Sequence, residues 1–242
     1  MDQPTEHQRR REFLAGAREA IAISTGVIPF AILFGASAVQ AGFSVFETVF
    51  ASAAVFGGAS QFVFIEVYGL DVPGWLVVLS VFAVNFRHIL YSASLGRWMT
   101  RFSPLRKAAA FFFLTDLQWA TSEMQLHSRT PGILTPAWYF GYALPLYLLW
   151  VLSTWFGAVS GSMIQHPERY GLDFLLPIYF VTILVGFRKR KNFLPVLGVS
   201  AVASYLALLV VGPPWHILAG ATMGVMFASL LPVNEKYSNT LN

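Results

Sequence analysis

The sequence consists of long apolar stretches separated by short polar or charged connections. A helix that crosses the roughly 30 Å hydrocarbon core of a bilayer needs about 20 predominantly apolar residues. Eight candidate stretches are present: Ile21–Ala41, Ser44–Val67, Trp75–Gly96, Leu105–Met124, Pro136–Met163, Phe174–Phe187, Phe193–Val211 and Trp215–Leu231. Their hydrophobicity is continuous rather than alternating, which indicates helices and not the strands of a β-barrel. The pattern predicts an all-α, polytopic membrane protein with about six to eight membrane segments.

Composition supports this class and bounds the domain organisation. The 242 residues are 56% hydrophobic and 12% charged, whereas soluble domains average about 25% charged residues. We expect a basic, amphipathic cytoplasmic segment at residues 1–20, a single membrane transport domain at 21–231 and a short polar tail at 232–242. Cysteine is absent, which excludes disulfides and thiolate ligands. We expect no cofactor and no bound metal.

The basic residues report topology rather than nucleic-acid binding. The formal net charge is +4, but the positive residues form short clusters beside apolar stretches instead of one binding face. By the positive-inside rule, these clusters lie on the cytoplasmic side. The clusters are Arg9-Arg10-Arg11 with Arg18; Arg97, Arg101, Arg106 and Lys107; and Arg188-Lys189-Arg190-Lys191.

The spacing of these clusters conflicts with eight full crossings. Three apolar stretches separate the first cluster from the second, and three separate the second from the third, yet each interval needs an even number of crossings. One stretch in each triplet therefore should not cross fully. Because proline removes a backbone donor and disrupts helices, we expect broken segments at Pro29-Phe30 and at Leu176-Pro177, with helix ends able to bind a ligand near the midplane.

Arg87 is the strongest candidate for a functional residue. An arginine at the centre of a membrane helix costs roughly 2.5–3.5 kcal/mol on insertion scales, so such residues usually face a protein interior or an aqueous cavity. Arg87 lies 14 residues before Arg101, and Asp116 lies 15 residues after it. If consecutive helices are antiparallel neighbours, the two charges share one depth and form an ion pair. This pair is either a structural link between helices or a divided site for the two charges of an amino acid.

Other polar residues extend this candidate site. Asn85 and His88 share one helical stripe, and His88 is either a hydrogen-bonded structural residue or a titrating proton carrier, a role shared with Asp116. Gln61 follows Gly57-Gly58 in an apolar stretch, and its amide needs partners from a ligand or from Asn85.

Other functions fit the same residues less well. A hydrolase using Ser60 as nucleophile and His88 as base lacks an orienting third residue and a nucleophile elbow, so we expect no enzyme activity. A channel for ions or small solutes would place similar polar residues along its pore, and it remains the alternative to a transporter. A structural scaffold would not need Asn85, Arg87, His88 and Asp116 at one depth.

Five sequence blocks carry a resemblance to a known family. In order and spacing, the chain from about residue 15 to 230 resembles the AzlC-type large subunit of branched-chain amino-acid exporters, and NFRH after GGASQF is the most specific part. The blocks are Gly26–Gly35 (GVIPFAILFG), Val55–Phe64 (VFGGASQFVF), Val84–Ser94 (VNFRHILYSAS), Phe113–Ser122 (FLTDLQWATS) and Gly171–Phe180 (GLDFLLPIYF).

The resemblance implies a function and a partner. It implies export of branched-chain or other hydrophobic amino acids across the bacterial inner membrane by a secondary transporter that includes a small AzlD-like membrane subunit. Two positions depart from the family pattern, Ala31 where glycine is usual and Leu117 where an acidic residue is common. The expected substrate contacts are Arg87, Asp116, Asn85, Gln61, Pro29 and Phe30, with His88 and Asp116 in proton coupling. Besides the substrate and the subunit, membrane lipid is the expected contact, and nucleic acid is not.

Overall fold

The computed structural model describes residues 5–70, 72–128, 134–161, 181, 184–185, 188, 192–212 and 215–232. Within these ranges, all regular secondary structure is helical, as the sequence predicted. The helices are α1 (Glu6–Gln40), α2 (Val45–Ala54), α3 (Gly58–Tyr68), α4 (Gly74–Asn85), α5 (Arg87–Gly96), α6 (Pro104–Phe112), α7 (Asp116–Ser128), α8 (Pro136–Gly161), α9 (Phe193–Val210) and α10 (Trp215–Leu230). Four of the described segments are long and apolar enough to cross a membrane: α1, α4 with α5, α8 and α9.

The chain divides into two compact units. The first contains residues 1–72 and 84–172, and the second contains residues 73–83 and 173–242. In the second unit, α9 and α10 pack antiparallel, because the later residue Ser204 lies against Gly220 whereas the earlier residue Ser200 lies against Gly224. Trp75 and Trp215 meet in the same unit at a ring distance of 6.5 Å.

Helices α1 and α8 form the frame of the first unit and run parallel. Near the start of both helices, Gly16 contacts the backbone of Trp138 and Tyr142. Near their ends, Gly157 contacts the backbone of Ile32 so closely that an added Cβ would overlap the Ile32 carbonyl oxygen. Small residues permit this approach, as in membrane helix pairs generally. The first and fifth apolar stretches therefore point in the same direction.

The predicted break at Pro29 is wrong, because α1 continues through Pro29 without interruption. A proline removes one backbone donor and crowds the preceding turn, but α1 is held against α8 on both sides of that turn, at Gly16 and at Gly35. Packing along the whole helix therefore maintains its direction. The same helix continues across the expected boundary at residue 20, and its 35 residues extend about 52 Å at 1.5 Å per residue.

Helices α2 and α3 form a hairpin that enters the unit and returns to the same end. Phe43, in the turn before α2, contacts Tyr68 at the end of α3 with ring centroids 4.9 Å apart. If α3 continued the direction of α2, these residues would be on the order of 35 Å apart. The chain reverses at Val55–Gly57, which we call the first tip.

Helices α6 and α7 form a second hairpin, which enters from the opposite end. Contacts with α8 show the direction of this hairpin. The ring of Phe102, before α6, lies 5.8 Å from the ring of Tyr139, and the ring of Phe113 lies 5.3 Å from that of Tyr147. Thr121 on α7 then lies beside Tyr142, so α7 returns toward the start of α8. The chain reverses at Phe113–Thr115, which we call the second tip.

The two tips meet beside Tyr147, near the middle of α8. The Tyr147 ring contacts Phe56 of the first tip at 5.2 Å and Phe113 of the second tip at 5.3 Å. Its hydroxyl donates a 2.9 Å hydrogen bond to the Ala53 carbonyl. Both hairpins therefore end at about half the depth of the unit.

The first hairpin explains the spacing of the first two basic clusters. The cluster around Arg101 lies at the α6 end of the unit, which is also the end that holds the start of α1 and its basic residues. One stretch in the first triplet does return, but it is Ser44–Val67 and not the stretch containing Pro29. In the second triplet, Leu105–Met124 returns. The Phe174–Phe187 stretch with Leu176-Pro177 lies largely outside the described residues, as does most of the third basic cluster.

Candidate substrate site

The candidate site lies where the two tips meet the start of α5, within the first unit. Helix α3 begins at Gly58, α5 at Arg87 and α7 at Asp116. Each of these helices runs away from the tips, so three N-terminal ends are directed at one zone. N-terminal helix ends carry partial positive charge and free N–H groups. Neither α3 nor α5 has a side-chain cap on these groups.

The predicted ion pair is present. Arg87 Nη1 lies 3.0 Å from Asp116 Oδ2, and the two side chains are 26% and 21% exposed. The pair forms because the second tip ends immediately before Asp116, which brings α7 back along α5. The two helices run parallel, since Tyr91 and Ser94 contact successive positions of α7. The sequence predicted the partners correctly, although it assumed an unbroken helix around Asp116.

Three aromatic and hydroxyl residues orient the ion pair, and none was among the predicted site residues. Tyr91 donates a 2.9 Å hydrogen bond to Asp116 Oδ1, and its ring stacks on Trp119 at 4.8 Å. Trp119 Nε1 in turn donates to Ser94 Oγ at 2.8 Å. Tyr91 follows Arg87 by four positions, so helix spacing alone would have placed it on the same face.

Asn85 and His88 lie at the same level. Asn85 Oδ1 lies near the first tip, 3.8 Å from the position of a Cβ on Gly57. His88 Nδ1 is hydrogen-bonded to the Asn85 carbonyl at 3.1 Å, and the ring contacts Tyr91. The structure thus brings together Asn85, Arg87, His88 and Asp116, as their predicted common depth required.

Gln61 has protein partners on both sides of its amide. Its Nε2 donates to the Val55 carbonyl at 2.5 Å, and its Oε1 accepts from Trp150 Nε1 at 3.2 Å. The Gln61 side chain therefore donates to a carbonyl that the end of α2 leaves without a helical partner. Irregular backbone at membrane depth requires such hydrogen bonds. Ser60 likewise donates to the Gly57 carbonyl at 2.7 Å. These contacts stabilise the first tip. They already satisfy the Gln61 amide, so its direct contact with a substrate stays a prediction that no contact in the structure supports.

Pro29 and Phe30 do not form a helix end. Pro29 is exposed inside continuous α1, and Phe30 packs against the apolar core. The reason given for assigning them to a ligand site, a broken helix, is therefore removed.

Two buried polar atoms of the site have no hydrogen-bond partner among the described residues: Arg87 Nε and Asn85 Oδ1. Leaving a buried polar group unpaired costs about 1–3 kcal/mol, so such atoms usually mark a binding function or an ordered water. Arg87 offers a donor and Asn85 an acceptor. Together with Asp116 and the three helix ends, they present groups of both signs to one small ligand.

Comparison with known proteins adds a family to this geometry. The AzlC protein family model matches residues 22–164. The chain is 33% identical over 220 residues to the inner membrane protein YgaZ of Escherichia coli, covering 89% of each chain. It is 29% identical to an uncharacterized membrane protein of Archaeoglobus fulgidus, covering 90% of this chain and 91% of the relative. A membrane protein of Helicobacter pylori is 23% identical, with 89% and 94% covered. No solved structure gives a significant match.

Proposed function

The chain belongs to the AzlC family of membrane transport proteins, and we propose that it is the large subunit of a two-component secondary exporter of branched-chain or other hydrophobic amino acids. The proposal places it in the bacterial inner membrane as a multi-pass protein, with the start of α1 and the Arg101 cluster in the cytoplasm. A small AzlD-like membrane subunit completes the exporter, and this part rests on the family alone.

One observation carries the proposal: a cation, a carboxylate and unpaired polar atoms meet where two opposed hairpins end. An amino-acid zwitterion has a carboxylate and an ammonium only a few bonds apart. Arg87 and the starts of α3 and α5 fit the carboxylate, because cations and helix N-termini both favour negative charge. Asp116 and Asn85 Oδ1 fit the ammonium, which only donates hydrogen bonds.

The carbonyls at the first tip support this assignment. A helix C-terminus also attracts cations, but the Ala53 and Val55 carbonyls at the end of α2 already accept from Tyr147 and Gln61. Among the described residues at this level, Asp116 is therefore the negatively charged group that can accept from the ammonium. Phe56, Phe113 and Tyr147 supply the apolar surroundings for an aliphatic side chain.

Alternating access follows from the hairpins. Each hairpin covers one side of the site, so displacement of one opens the site to one side while the other stays closed. In secondary transporters, discontinuous helices near the midplane commonly form the substrate site. One extra methylene in an apolar pocket changes binding by only about 1–3 kcal/mol, so several aliphatic amino acids are accepted.

Counterflow in reconstituted vesicles tests this function. Vesicles containing this chain, with and without a small AzlD-like subunit, are loaded with unlabelled leucine, valine, isoleucine or methionine, and uptake of the labelled amino acid is followed. Transient accumulation that saturates with concentration supports an exporter. Flux that rises linearly with concentration supports the channel-like permease instead, and lysine serves as the control substrate that the apolar pocket should reject.

A further inference from the structure

A second group of buried polar residues lies on the face of α7 that the substrate site does not use. Thr115, Gln118 and Ser122 are spaced three and four positions apart, so they follow one helix face. Gln118 and Ser122 are fully buried, each with 0% exposure. Gln118 Nε2 donates to Ser122 Oγ at 3.4 Å, and Thr115 Oγ1 accepts from the Gln118 backbone N–H.

Helices α8 and α1 add polar groups beside this face. The Thr121 hydroxyl donates a 3.1 Å hydrogen bond to the hydroxyl of Tyr142, which is also fully buried. Glu19 of α1 lies within electrostatic reach of Tyr142. We call Glu19, Tyr142, Thr121, Ser122, Gln118 and Thr115 the polar column. It extends from the basic end of the first unit to the second tip.

Two buried polar atoms along α7 and α8 have no partner among the described residues: Gln118 Oε1 and Trp138 Nε1. A helix interface that only held the fold together would favour apolar side chains here, because each unpaired group costs about 1–3 kcal/mol. Buried water typically makes about three hydrogen bonds to such groups. The buried face of α7 beside α8 is therefore suited to a chain of water molecules.

We propose that the polar column is a water-filled path that conducts the coupling proton between the basic end and Asp116. This inference rests on the proposed function and names the route of its driving ion. Thr115, where the column ends, immediately precedes Asp116. From Ser122 to Thr115 the path covers about 10 Å at 1.5 Å per residue, roughly a third of the hydrocarbon thickness.

The transferred proton has a defined acceptor. In the state open to the outer side, an O–H bond of a hydronium ion breaks and a new O–H bond forms on the Asp116 carboxylate. In the part of the chain that the structure describes, the other charged and titratable groups facing Asp116 are Arg87, His88 and Tyr91. Neutralising Asp116 removes the negative charge that holds the substrate ammonium, so protonation favours release of the substrate. In the state open to the cytoplasm, the Asp116 O–H bond breaks and the proton passes to the first water of the path, from which a proton moves on to the next water toward the basic end.

Substitutions of Gln118 distinguish proton conduction along the path from substrate binding. In vesicles, Gln118→Leu should reduce proton-driven net leucine transport at least tenfold, whereas leucine counterflow, which needs no net proton movement, should stay within twofold of wild type. Gln118→Asn keeps an amide and should retain part of the net transport. Ala120→Leu, which adds apolar bulk on the exposed face of α7, should leave both measurements unchanged.

Each contrary outcome is informative. Net transport at the wild-type rate in Gln118→Leu would overturn the path, as would wild-type net transport that ignores an imposed pH gradient. Equal loss of counterflow and net transport in both Gln118→Leu and Gln118→Asn would assign Gln118 a purely structural role and also overturn it. Absence of counterflow in the wild-type protein would instead refute the proposed function.

Labelling tests for water directly and does not depend on transport. The chain has no cysteine, so single cysteines introduce the only thiols. Ser122 and Ser52 both have 0% exposure. Ser52 lies outside the polar column, on α2 of the first hairpin, where its hydroxyl is hydrogen-bonded to that of Thr154 on α8. A small charged thiol reagent added from the basic side should modify Ser122→Cys at least tenfold faster than Ser52→Cys. Equal, slow modification of both would refute a water-filled path.

Discussion

Neutralising the Arg87–Asp116 pair one residue at a time, and then together, separates a ligand site from a structural link. A hydrogen bond to a charged group contributes about 1.5–3 kcal/mol, and because the two side chains are 26% and 21% exposed, we expect the lower part of this range. Since about 1.4 kcal/mol is a factor of ten, Arg87→Gln and Asp116→Asn should each lower leucine counterflow at low substrate roughly tenfold to thirtyfold.

The double variant decides between the two roles. If the pair only links α5 and α7, each single change leaves an unpaired half-buried charge, and Arg87→Gln with Asp116→Asn should restore transport. If both groups bind the substrate, the double variant should transport leucine no faster than the less active of the two single variants. The assay is the initial rate of labelled leucine counterflow per amount of protein, with elution as a single folded species as the control. Restoration to the wild-type rate would refute the substrate site.

Further predictions concern the frame and the first tip. Gly157→Ala should prevent stable folding because a Cβ meets the α1 backbone, whereas Gly26→Ala, with open space around it, should raise the melting temperature slightly; equal effects would refute the packing argument. Pro29→Ala should keep transport within twofold because α1 is continuous there, and loss of transport in folded protein would return Pro29 to the site. Trp150→Phe should lower stability by about 1–3 kcal/mol by leaving Gln61 Oε1 unpaired, measured by thermal unfolding in detergent; an unchanged melting temperature would contradict this.

The partners at the site were predictable because depth follows from residue counting. Arg87 and Asp116 are nearly equidistant from Arg101, and any helix segment rises by about the same amount per residue. The count remained valid although the chain reverses at Phe113–Thr115, because that reversal comes immediately before Asp116. The direction of α7 was not predictable from the count, and neither was the contact with Tyr91.

The hairpins were harder to predict because the hydropathy of a stretch shows how many apolar residues it contains and not whether the chain reverses within it. Two helices of about ten residues joined at a tip have the same apolar content as one crossing helix. The basic clusters did show that one stretch in each triplet returns. The choice of Pro29 failed because a proline affects one or two backbone hydrogen bonds, while the packing of α1 on α8 extends over the whole helix. The true reversal at Val55–Gly57 depends on distant partners, Gln61 and Tyr147.

The meeting of both hairpin tips beside Tyr147 has a consequence for leakage through the protein. In the proposed transporter, only the thickness of the two tips would separate the aqueous compartments at that level, so we expect a barrier to leakage that is thinner than the membrane. If the proposed function holds, we expect that shortening either hairpin by a single turn would let protons leak through the protein. On this view, the lengths of the hairpins matter to the transporter as well as the residues that bind the substrate.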